Sequence, residues 1–538
     1  MKRIVYGNLD GLNKAQINRI ENLYNIKSPP EYILSREAAI EIVDISRDIR
    51  RQVGLLLDRN AKVICVIAGE PQRIVIPVTP DYRPGPGRLK GLRCVHTHLS
   101  HEALTQDDLT DLALLRLDYI TAICLNADGT PGPVYSAHIL PDPEADPYRI
   151  LPGTSLDHLD TDCQAQILEL ESELSRHNRL HSGETGQENA FLINAATQGL
   201  SLAHISMDEL KELCKTSRIK VVGSAIQQRK KIDPKFVVGK GKLSELIIKA
   251  IQNYATLLVF DQELSPSQIR SITDFVEMKV IDRTQLILDI FAKQAKSSEG
   301  KYQVELAQLE YMLPRLITKN TAMSRLTGGI GGRGPGETKL EVNRRRARER
   351  ITRLKKEIEK IRKQRKQQKA RRKRKDLPVI SIVGYTNAGK STLLNTLTQS
   401  SIIAANRLFA TLDPSSRRLR FPRDKEVIIT DTVGFIQNLP KELLEAFHAT
   451  LEELEQADVI LHVIDISNPR YMQQKETVDQ LLKSLNLNKI PTLYVFNKMD
   501  QADLNNFDSP WLLNQGILVS ALEKASLAPL VEKLEAMV

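Results

Sequence analysis

Residues that could bind a nucleotide lie in four short segments within the last third of the chain. The first, Gly384-Tyr385-Thr386-Asn387-Ala388-Gly389-Lys390-Ser391, follows the apolar run 379–383 and precedes a helical pattern. Glycines in this context let the backbone bend, so that successive N–H groups and the next helix N-terminus surround phosphates. The segment therefore predicts a P-loop, and by itself it establishes only nucleotide binding.

The second segment, Asp431-Thr432-Val433-Gly434, follows an apolar run that reads as a strand. A carboxylate at this place can hold Mg²⁺ through water, and the N–H of Gly434 can reach the γ-phosphate. Thr411, in the intervening segment, would complete the magnesium shell as part of a mobile switch. We therefore predict Ser391, Thr411 and Asp431 as magnesium residues. Lys390, Thr411 and Gly434 are the predicted catalytic residues.

The third and fourth segments, Asn497-Lys498-Met499-Asp500 and Ser520-Ala521, favour a guanine base. Asp500 can accept hydrogen bonds from N1–H and from the exocyclic amine of guanine, and adenine does not offer this pair of donors. Ser520-Ala521 adds a backbone N–H for the guanine carbonyl. GTP with Mg²⁺ is thus the predicted ligand. The predicted nucleotide-binding residues are Gly384, Tyr385, Thr386, Asn387, Ala388, Gly389, Lys390, Ser391, Thr392, Asp431, Thr432, Val433, Gly434, Asn497, Lys498, Asp500, Ser520 and Ala521.

Phe435 occupies the position after the glycine where Ras-like enzymes carry a glutamine that orients the attacking water. An aromatic ring cannot polarise water. We therefore predict slow intrinsic hydrolysis that a partner strongly stimulates. The alternative is a domain that binds GTP and hardly hydrolyses it.

Length and composition limit the number of domains and the kind of partner. The chain has 538 residues, enough for three or four domains, and a formal net charge of +10 that favours polyanionic partners. Its five cysteines show no CxxC spacing, so neither a disulfide framework nor a cysteine zinc site is indicated. A signal-peptide core and a membrane-spanning apolar run are both lacking. We expect a soluble, cytoplasmic monomer.

Much of the positive charge lies between Asn343 and Lys375, a stretch of strong helix formers without proline or glycine. Apolar residues at three-and-four spacing, among them Leu354 and Ile358, predict one buried stripe beneath a cationic surface. The segment Gln303–Leu316 has the same spacing and predicts an antiparallel partner helix with a kink at Pro314. RNA phosphate is the predicted partner of the basic face, and a merely solvated charged face is the alternative.

The connector between these two helices is rich in glycine from Gly328 to Glu337. Ordering so many glycines costs much conformational entropy. We therefore expect a loop that becomes ordered only when it contacts a partner. Arg333 could then meet phosphate or a stacked base. A plain flexible linker is the alternative. Upstream, alternating strand and helix patterns between Ile219 and Asp282 predict a small α/β domain with a parallel sheet.

From about Ile205 onwards the chain resembles the HflX family of ribosome-associated GTPases. The resemblance rests on Gly239-Lys240-Gly241-Lys242, residues 263–268, 282–292 and 303–309, the glycine loop, and residues 431–436. It implies a factor that binds the large ribosomal subunit and its RNA in the GTP state and splits stalled or idle ribosomes. It also implies that ribosomes stimulate hydrolysis, with a hydrophobic residue at the position of Phe435. Some members carry a further domain, which we expect to be absent or minimal here.

Residues before the shared region include a second constellation, in which His96 and His98 end a predicted strand and Asp108 lies in the next helix. Histidines two apart on a strand share a face, and a nearby aspartate could complete a zinc site with water as fourth ligand. The pattern resembles that of the JAMM metalloproteases, HxH followed by SxxD.

Three positions depart from that pattern. Leu99 stands where proline is usual, Thr105 replaces serine, and Arg51 or Gln52 stands where the catalytic glutamate is expected. Three interpretations stay open: a helix cap formed by Thr105 and Asp108 alone, bound zinc without chemistry, and an active isopeptidase.

The predicted fold class is α/β and multidomain. A doubly wound P-loop GTPase sheet follows a small parallel α/β domain with a long antiparallel helix pair, and an N-terminal α/β extension precedes both. The predicted parts are a JAMM/MPN-like extension (1–154), a linker (155–204), an HflX-type N-terminal domain (205–376, with an α/β part 205–283 and a helical hairpin with the glycine loop 284–376) and the GTPase domain (377–538). Two rival functions stay open, a metallo-isopeptidase with a regulatory GTPase domain and an RNA-remodelling NTPase.

Overall fold

A computed structural model describes most of the chain, which divides into two compact units. The first unit comprises Met1–Thr197, Lys220–Leu258 and Phe275–Lys279, and the second comprises Gln198–Ile219, Val259–Asp274 and Val280–Val538. The described residues are 4–77, 79, 82, 88–140, 146–156, 159, 162–181, 187–276, 278–316, 339–372, 377–398, 415–421, 425–431, 434–436, 454–502 and 515–538.

The N-terminal part is built on a seven-stranded mixed sheet in the order β1-β3-β2-β4-β5-β6-β7. Its central strands β2, β4 and β5 are almost wholly buried, as strands are in a sheet that is covered on both faces. The strands are β1 (Val5–Gly7), β2 (Val53–Asp58), β3 (Val63–Ala68), β4 (Leu92–His98), β5 (Tyr119–Leu125), β6 (Pro131–Ile139) and β7 (Tyr148–Ile150). The helices are α1 (Lys14–Asn22), α2 (Arg36–Ile49), α3 (Gln106–Leu115) and α4 (Cys163–His181).

A four-stranded sheet in the order β11-β10-β8-β9 follows. Strands β8 and β9 pair in parallel, as the alternation of strands and helices predicts. The strands are β8 (Asn189–Ala196), β9 (Lys220–Gln228), β10 (Leu257–Phe260) and β11 (Lys279–Asp282). The helices are α5 (Leu200–Thr216), α6 (Lys240–Gln252), α7 (Pro266–Phe275) and α8 (Arg283–Gln294).

The structure differs from the sequence-based interpretation in two places. Residues 155–204, predicted as a linker, include α4, the wholly buried strand β8 and the start of α5. Strand β8 lies between β9 and β10, so its apolar residues form part of a core. The run Arg73-Ile74-Val75-Ile76-Pro77, whose apolar residues between turns predict a strand, forms no regular element.

The long basic segment forms the helix α10 (Lys339–Arg372), which packs against α9 (Ser298–Met312). Leu306 of α9 lies in one buried cluster with Leu354 and Ile358 of α10, which confirms the predicted apolar stripe. Arg344, near the start of α10, donates to the carbonyl of Leu316, just beyond α9, at 3.0 Å. The two helices therefore run antiparallel. Their connector, including Arg333, lies outside the described residues.

Pro314 lies in a 3₁₀ turn, Leu313–Arg315, that ends α9 as the sequence predicts. Two ion pairs join the flanks of the helix pair: Glu305 to Arg350 at 2.7 Å and Glu310 to Lys355 at 2.8 Å. Both pairs are partly or largely solvent-exposed, so they add little stability beside the buried cluster.

The C-terminal sheet has six strands in the order β13-β14-β12-β15-β16-β17, parallel except for the edge strand β13. This arrangement confirms the predicted doubly wound fold, in which loops at the carboxyl ends of parallel strands meet at one edge. The strands are β12 (Val379–Gly384), β13 (Ser415–Arg420), β14 (Glu426–Asp431), β15 (Val459–Asp465), β16 (Thr492–Asn497) and β17 (Gly516–Leu518). The helices are α11 (Lys390–Thr398), α12 (Tyr471–Ser484) and α13 (Ala528–Met537).

Among the helices that the structure describes, none is both long enough and apolar enough to cross a lipid bilayer.

Leu354→Ala tests the buried contact of the helix pair. Leu354 is 1% exposed, so truncation should cost on the order of 2–5 kcal/mol and make opening of the pair at least tenfold more frequent. Trypsin should then cut α10 faster, as the rate of limited digestion reports. Thr352→Ala, at an exposed position on the same helix, is the control. Equal digestion of the two variants would contradict the packing.

Candidate nucleotide site

The backbone from Gly384 to Lys390 forms a tight loop between β12 and α11. Asn387 and Gly389 have positive φ angles, 64° and 90°, which bend the chain before the helix begins. At Gly389 a Cβ atom would stand 2.2 Å from the Nδ2 atom of Asn497, so glycine is required there. The loop thus brings backbone N–H groups and a helix N-terminus to one place, the geometry that binds phosphate.

Lys390 is buried beneath this loop. Its Nζ donates to the carbonyl oxygens of Gly384 at 3.0 Å and Tyr385 at 2.8 Å. Burial lowers the pKa of Lys390 to about 8, although the carboxylate of Asp431 acts in the opposite direction. A desolvated ammonium held in this way is well placed to pair with an incoming phosphate.

The described magnesium candidates lie together. Ser391 Oγ donates to Asp431 Oδ2 at 2.8 Å, so the second residue of α11 contacts the last residue of β14. A hydroxyl and a carboxylate in contact can both be oxygen ligands of Mg²⁺, directly or through water. Thr411, the third predicted magnesium residue, lies outside the described residues, as do Thr432 and Val433.

Gly434 and Phe435 lie directly against the P-loop. The N–H of Thr386 donates to the carbonyl of Phe435 at 2.7 Å, and the N–H of Phe435 donates to the carbonyl of Gly384 at 3.2 Å. A Cβ atom on Gly434 would stand 2.8 Å from the Cγ2 atom of Thr386 and 3.0 Å from Lys390 Nζ. Phe435 itself is 3% exposed, so its ring adds an apolar wall.

The base-binding segments are joined by the buried side chain of Asn497. Its Nδ2 donates to the carbonyl of Ala388 at 2.8 Å, and its Oδ1 accepts from the N–H of Ala521 at 2.9 Å. The sequence assigns a backbone N–H of Ser520-Ala521 to the guanine carbonyl, and that assignment stays a prediction. Lys498 Nζ pairs with Asp465 at 2.6 Å. Asp500 is exposed beside it.

Sequence reasoning missed Asp465 and Ser526. Asp465 ends β15, the strand next to β16, and its position at a carboxyl end was the available signal. Ser526 Oγ accepts from the N–H of Ser520 and donates to the carbonyl of the same residue, both at 2.9 Å. It holds the turn that carries Ser520-Ala521.

A network of polar side chains extends from the P-loop into the preceding α/β part, within the second compact unit. Tyr385 donates its hydroxyl to Glu209 of α5. Glu209 also pairs with the guanidinium of Arg283, the first residue of α8. Arg283 Nη1 donates to Asp261 and to Ser206, each at 3.0 Å. Although burial disfavours its charge, the two carboxylates raise the pKa of Arg283.

The neighbouring residue Asp282 continues the network towards the end of α9. Asp282 accepts from the N–H groups of Leu264 and Gln285, both at 2.9 Å, and from the hydroxyl of Tyr311. The guanidinium of Arg315 lies 3.5 Å from the centre of the Tyr311 ring. The contacts therefore reach from the P-loop to the last described turn before the glycine-rich connector.

The N-terminal constellation is also assembled. His96, His98 and Asp108 are all buried, and their possible ligand atoms lie within 4.8 Å of one another. Thr105 caps α3 and donates to Asp108 at 2.7 Å, so the predicted helix cap is present together with the histidine cluster.

Three protein-family models match the chain. They are described as "GTP-binding GTPase N-terminal" over residues 204–292, "GTP-binding GTPase Middle Region" over residues 294–372 and "50S ribosome-binding GTPase" over residues 379–498. Together they span the α/β part, the helix pair and the P-loop domain, and residues before 204 lie outside them.

Two relatives known by sequence agree with these matches. "GTPase HflX" of Caldanaerobacter subterraneus subsp. tengcongensis is 47% identical over 330 residues, 61% of this chain and 76% of that protein. "GTPase HflX" of Escherichia coli strain K12 is 44% identical over 297 residues, 55% of this chain and 70% of that protein. A crystallised GTP-binding protein from Sulfolobus solfataricus, in complex with GDP, is 24% identical and covers 65% of this chain and 98% of its own, with a TM-score of 0.36.

Asp500→Asn tests the base-binding residue. The amide keeps one acceptor and replaces the other with a donor, so GTP should bind roughly 100-fold more weakly, by about 3 kcal/mol. Xanthosine triphosphate, which has a carbonyl in place of the amine, should bind more tightly. Displacement of a fluorescent nucleotide measures both affinities. Glu523→Gln, an exposed acid beyond Ser520-Ala521, is the control, and an unchanged preference for GTP in Asp500→Asn would refute the assignment.

Proposed function

The chain belongs to the HflX family of GTPases, and from this premise we propose a ribosome-associated factor that binds the large subunit and splits stalled or idle ribosomes. The chain hydrolyses GTP, as its family does. The observation that supports the ribosomal role best is a nucleotide site in the same compact unit as a long cationic helix. The factor acts as a monomer in the cytoplasm. Apart from residues 155–204, which fold into α4, β8 and the start of α5, its functional parts follow the boundaries predicted from sequence.

The assignment of roles within the GTP site is part of the proposal. Ser391, Thr411 and Asp431 would hold Mg²⁺, and the ion would supply positive charge to neutralise the phosphates. The contact between Ser391 and Asp431 supports this assignment. Lys390 and the N–H of Gly434 stabilise charge on the phosphates. The remaining nucleotide contacts are those predicted from the four sequence segments.

Hydrolysis by the free protein is slow because the position next to Gly434 holds a buried phenyl ring, which cannot orient water. The ribosome or a residue that it repositions supplies this function. The cationic face of α10 provides the attachment. Lys355, Lys356, Lys360 and Lys363 are exposed on it, and the opposite apolar face packs against α9. Lysine rows of this kind neutralise RNA phosphates and release counterions.

The polar network between the P-loop and α9 couples the nucleotide to the RNA-binding parts. Tyr385 belongs to the P-loop, and its hydroxyl contacts Glu209, whose other oxygen neutralises the buried Arg283. A shift of Tyr385 on GTP binding would leave Glu209 with one partner fewer, which carries a cost at this partly buried position. GTP thus selects the arrangement of α8 and α9 that binds the ribosome.

The first experiment is GTP turnover with and without purified large ribosomal subunits. We expect strong stimulation by the subunits, together with separation of intact ribosomes on a density gradient in the presence of a non-hydrolysable GTP analogue. If neither ribosomes nor large subunits increase the rate of GTP turnover, the proposal is wrong. Hydrolysis of ATP that GTP fails to suppress would favour the rival RNA-remodelling NTPase.

Replacing Lys355, Lys356, Lys360 and Lys363 by glutamine tests the basic face. Binding to large subunits should weaken, and the slope of log affinity against log salt should fall by about one for each phosphate contact removed. Lys483→Gln and Lys489→Gln, outside α10, are the matched controls. A salt slope equal to that of the wild type would show that α10 does not contact RNA.

A double-mutant cycle tests the coupling. Glu209→Gln and Tyr385→Phe should each reduce the ratio of stimulated to basal turnover about tenfold, as expected for loss of one hydrogen bond to a charged group. Glu209→Gln also weakens the pair with Arg283, so the double variant should lose no more than Glu209→Gln alone, because that change already alters the contact with Tyr385. Tyr494→Phe is the control. Additive losses, or lower thermal stability with an unchanged stimulation ratio, would leave the pair a structural contact only.

A further inference from the structure

The structure assigns a zinc site to His96, His98 and Asp108 in the N-terminal part, and we infer that this zinc is structural and not hydrolytic. The two histidines lie on β4, two residues apart, and side chains so spaced share one face of a strand. Asp108 lies in the first turn of α3 and meets them there. The three residues come from two elements, β4 and α3, and converge on one point.

The distances fit a tetrahedral ion. His96 Nε2 lies 3.0 Å from His98 Nε2 and 3.2 Å from Asp108 Oδ1, and His98 Nε2 lies 3.4 Å from Asp108 Oδ2. Zinc binds nitrogen and carboxylate oxygen at about 2.0–2.2 Å, so tetrahedral ligand atoms stand roughly 3.3 Å apart. One nitrogen from each histidine and one oxygen of Asp108, all within 4.8 Å of one another, would supply three ligand atoms and leave the fourth tetrahedral position for water.

The environment of His98 fixes which nitrogen faces the ion. Its Nδ1 lies 2.9 Å from the carbonyl of Glu102, an acceptor only, so this nitrogen carries the proton and Nε2 presents a lone pair. Metal-binding histidines commonly hold their second nitrogen in this way. His96 is fully buried, and its Nδ1 has no hydrogen-bond partner among the residues described. Its Nε2 is therefore the nitrogen that can bind a ligand. A cation between His96, His98 and Asp108 would accept the lone pairs of both rings and offset the charge of the buried carboxylate.

The position and orientation of Asp108 are also set in advance. Its Oδ2 accepts from the N–H of Thr105 at 2.8 Å and from the hydroxyl at 2.7 Å. Asp108 therefore belongs both to the helix cap and to the metal site, and its bonds to Thr105 hold the carboxylate towards the histidines. A cap alone does not require two buried imidazoles with their Nε2 atoms facing each other.

Hydrolysis at this site would need a general base beside the zinc-bound water. The two residues at the position of the expected glutamate do not provide one. Arg51 extends to the carbonyl oxygens of Asn8 at 2.6 Å and Asp10 at 2.5 Å, and Gln52 carries an amide, which cannot take up a proton at neutral pH. The ion instead ties β4 to α3. Helix α3 packs against α6 in the same compact unit, so the ion also stabilises the position of α6.

Metal analysis of the full chain tests the site. After dialysis against zinc and removal of free metal, we expect one tightly bound zinc per chain. His96→Ala and Asp108→Asn should retain less than about a tenth of it. His101→Ala, an exposed histidine of the same loop, is the matched control and should keep all of it. Equal zinc in every variant would mean an adventitious ion only, and no zinc in the wild type would overturn the proposal.

Cobalt substitution keeps the test decisive if a variant folds poorly. The wild type loaded with Co²⁺ should show the visible absorption bands of a tetrahedral ion, and Asp108→Asn should lose them while it still turns over GTP. Chelation should lower the unfolding temperature of the wild type and speed amide exchange in α3 and α6. Absence of the cobalt bands would overturn the site. Cleavage of isopeptide-linked substrates by the zinc-loaded wild type but not by His96→Ala would overturn the structural role and favour a metallo-isopeptidase.

Discussion

The side chain of Asn497 joins three loops of the nucleotide site, and the geometry of that site depends on it. One planar amide supplies a donor to Ala388 in the P-loop and an acceptor to Ala521 in the last segment. It lies so close to Gly389 that any side chain there would collide with it. The parallel strands bring the loops to one edge, and this amide then fixes their separation.

Buried charge is the second determinant of the structure. Arg283 lies between Glu209 and Asp261, with its side chain 5% exposed. Breaking such a pair typically costs about 3–5 kcal/mol because one charge remains buried without a partner. The network therefore holds α5 and α8 in a definite arrangement. Through Tyr385 it also gives a phosphate-binding loop a direct contact with an element that binds no nucleotide.

Much of the nucleotide site could be predicted from sequence because its chemistry lies in short contiguous segments. The P-loop, Asp431 and Asn497 each follow an apolar run, and parallel strands bring such positions together. The contact between Tyr385 and Glu209 joins residues 176 positions apart and could not be predicted, because nothing local in either segment indicates the other. The β8 strand was missed for a different reason. A charged stretch precedes it, and only the three-dimensional structure shows that it lies between β9 and β10 and is buried.

The length of α10 has a mechanical consequence. A helix of 34 residues is about 51 Å long, so a rotation of about 5° about one end moves the other end by about 4 Å. That displacement exceeds the length of a hydrogen bond. A small rotation of α10 at its contact with α9 therefore produces a larger displacement at the distant end of the helix. A change of less than an ångström near Leu306 could bring a row of cationic side chains into register with an anionic surface or take it out of register.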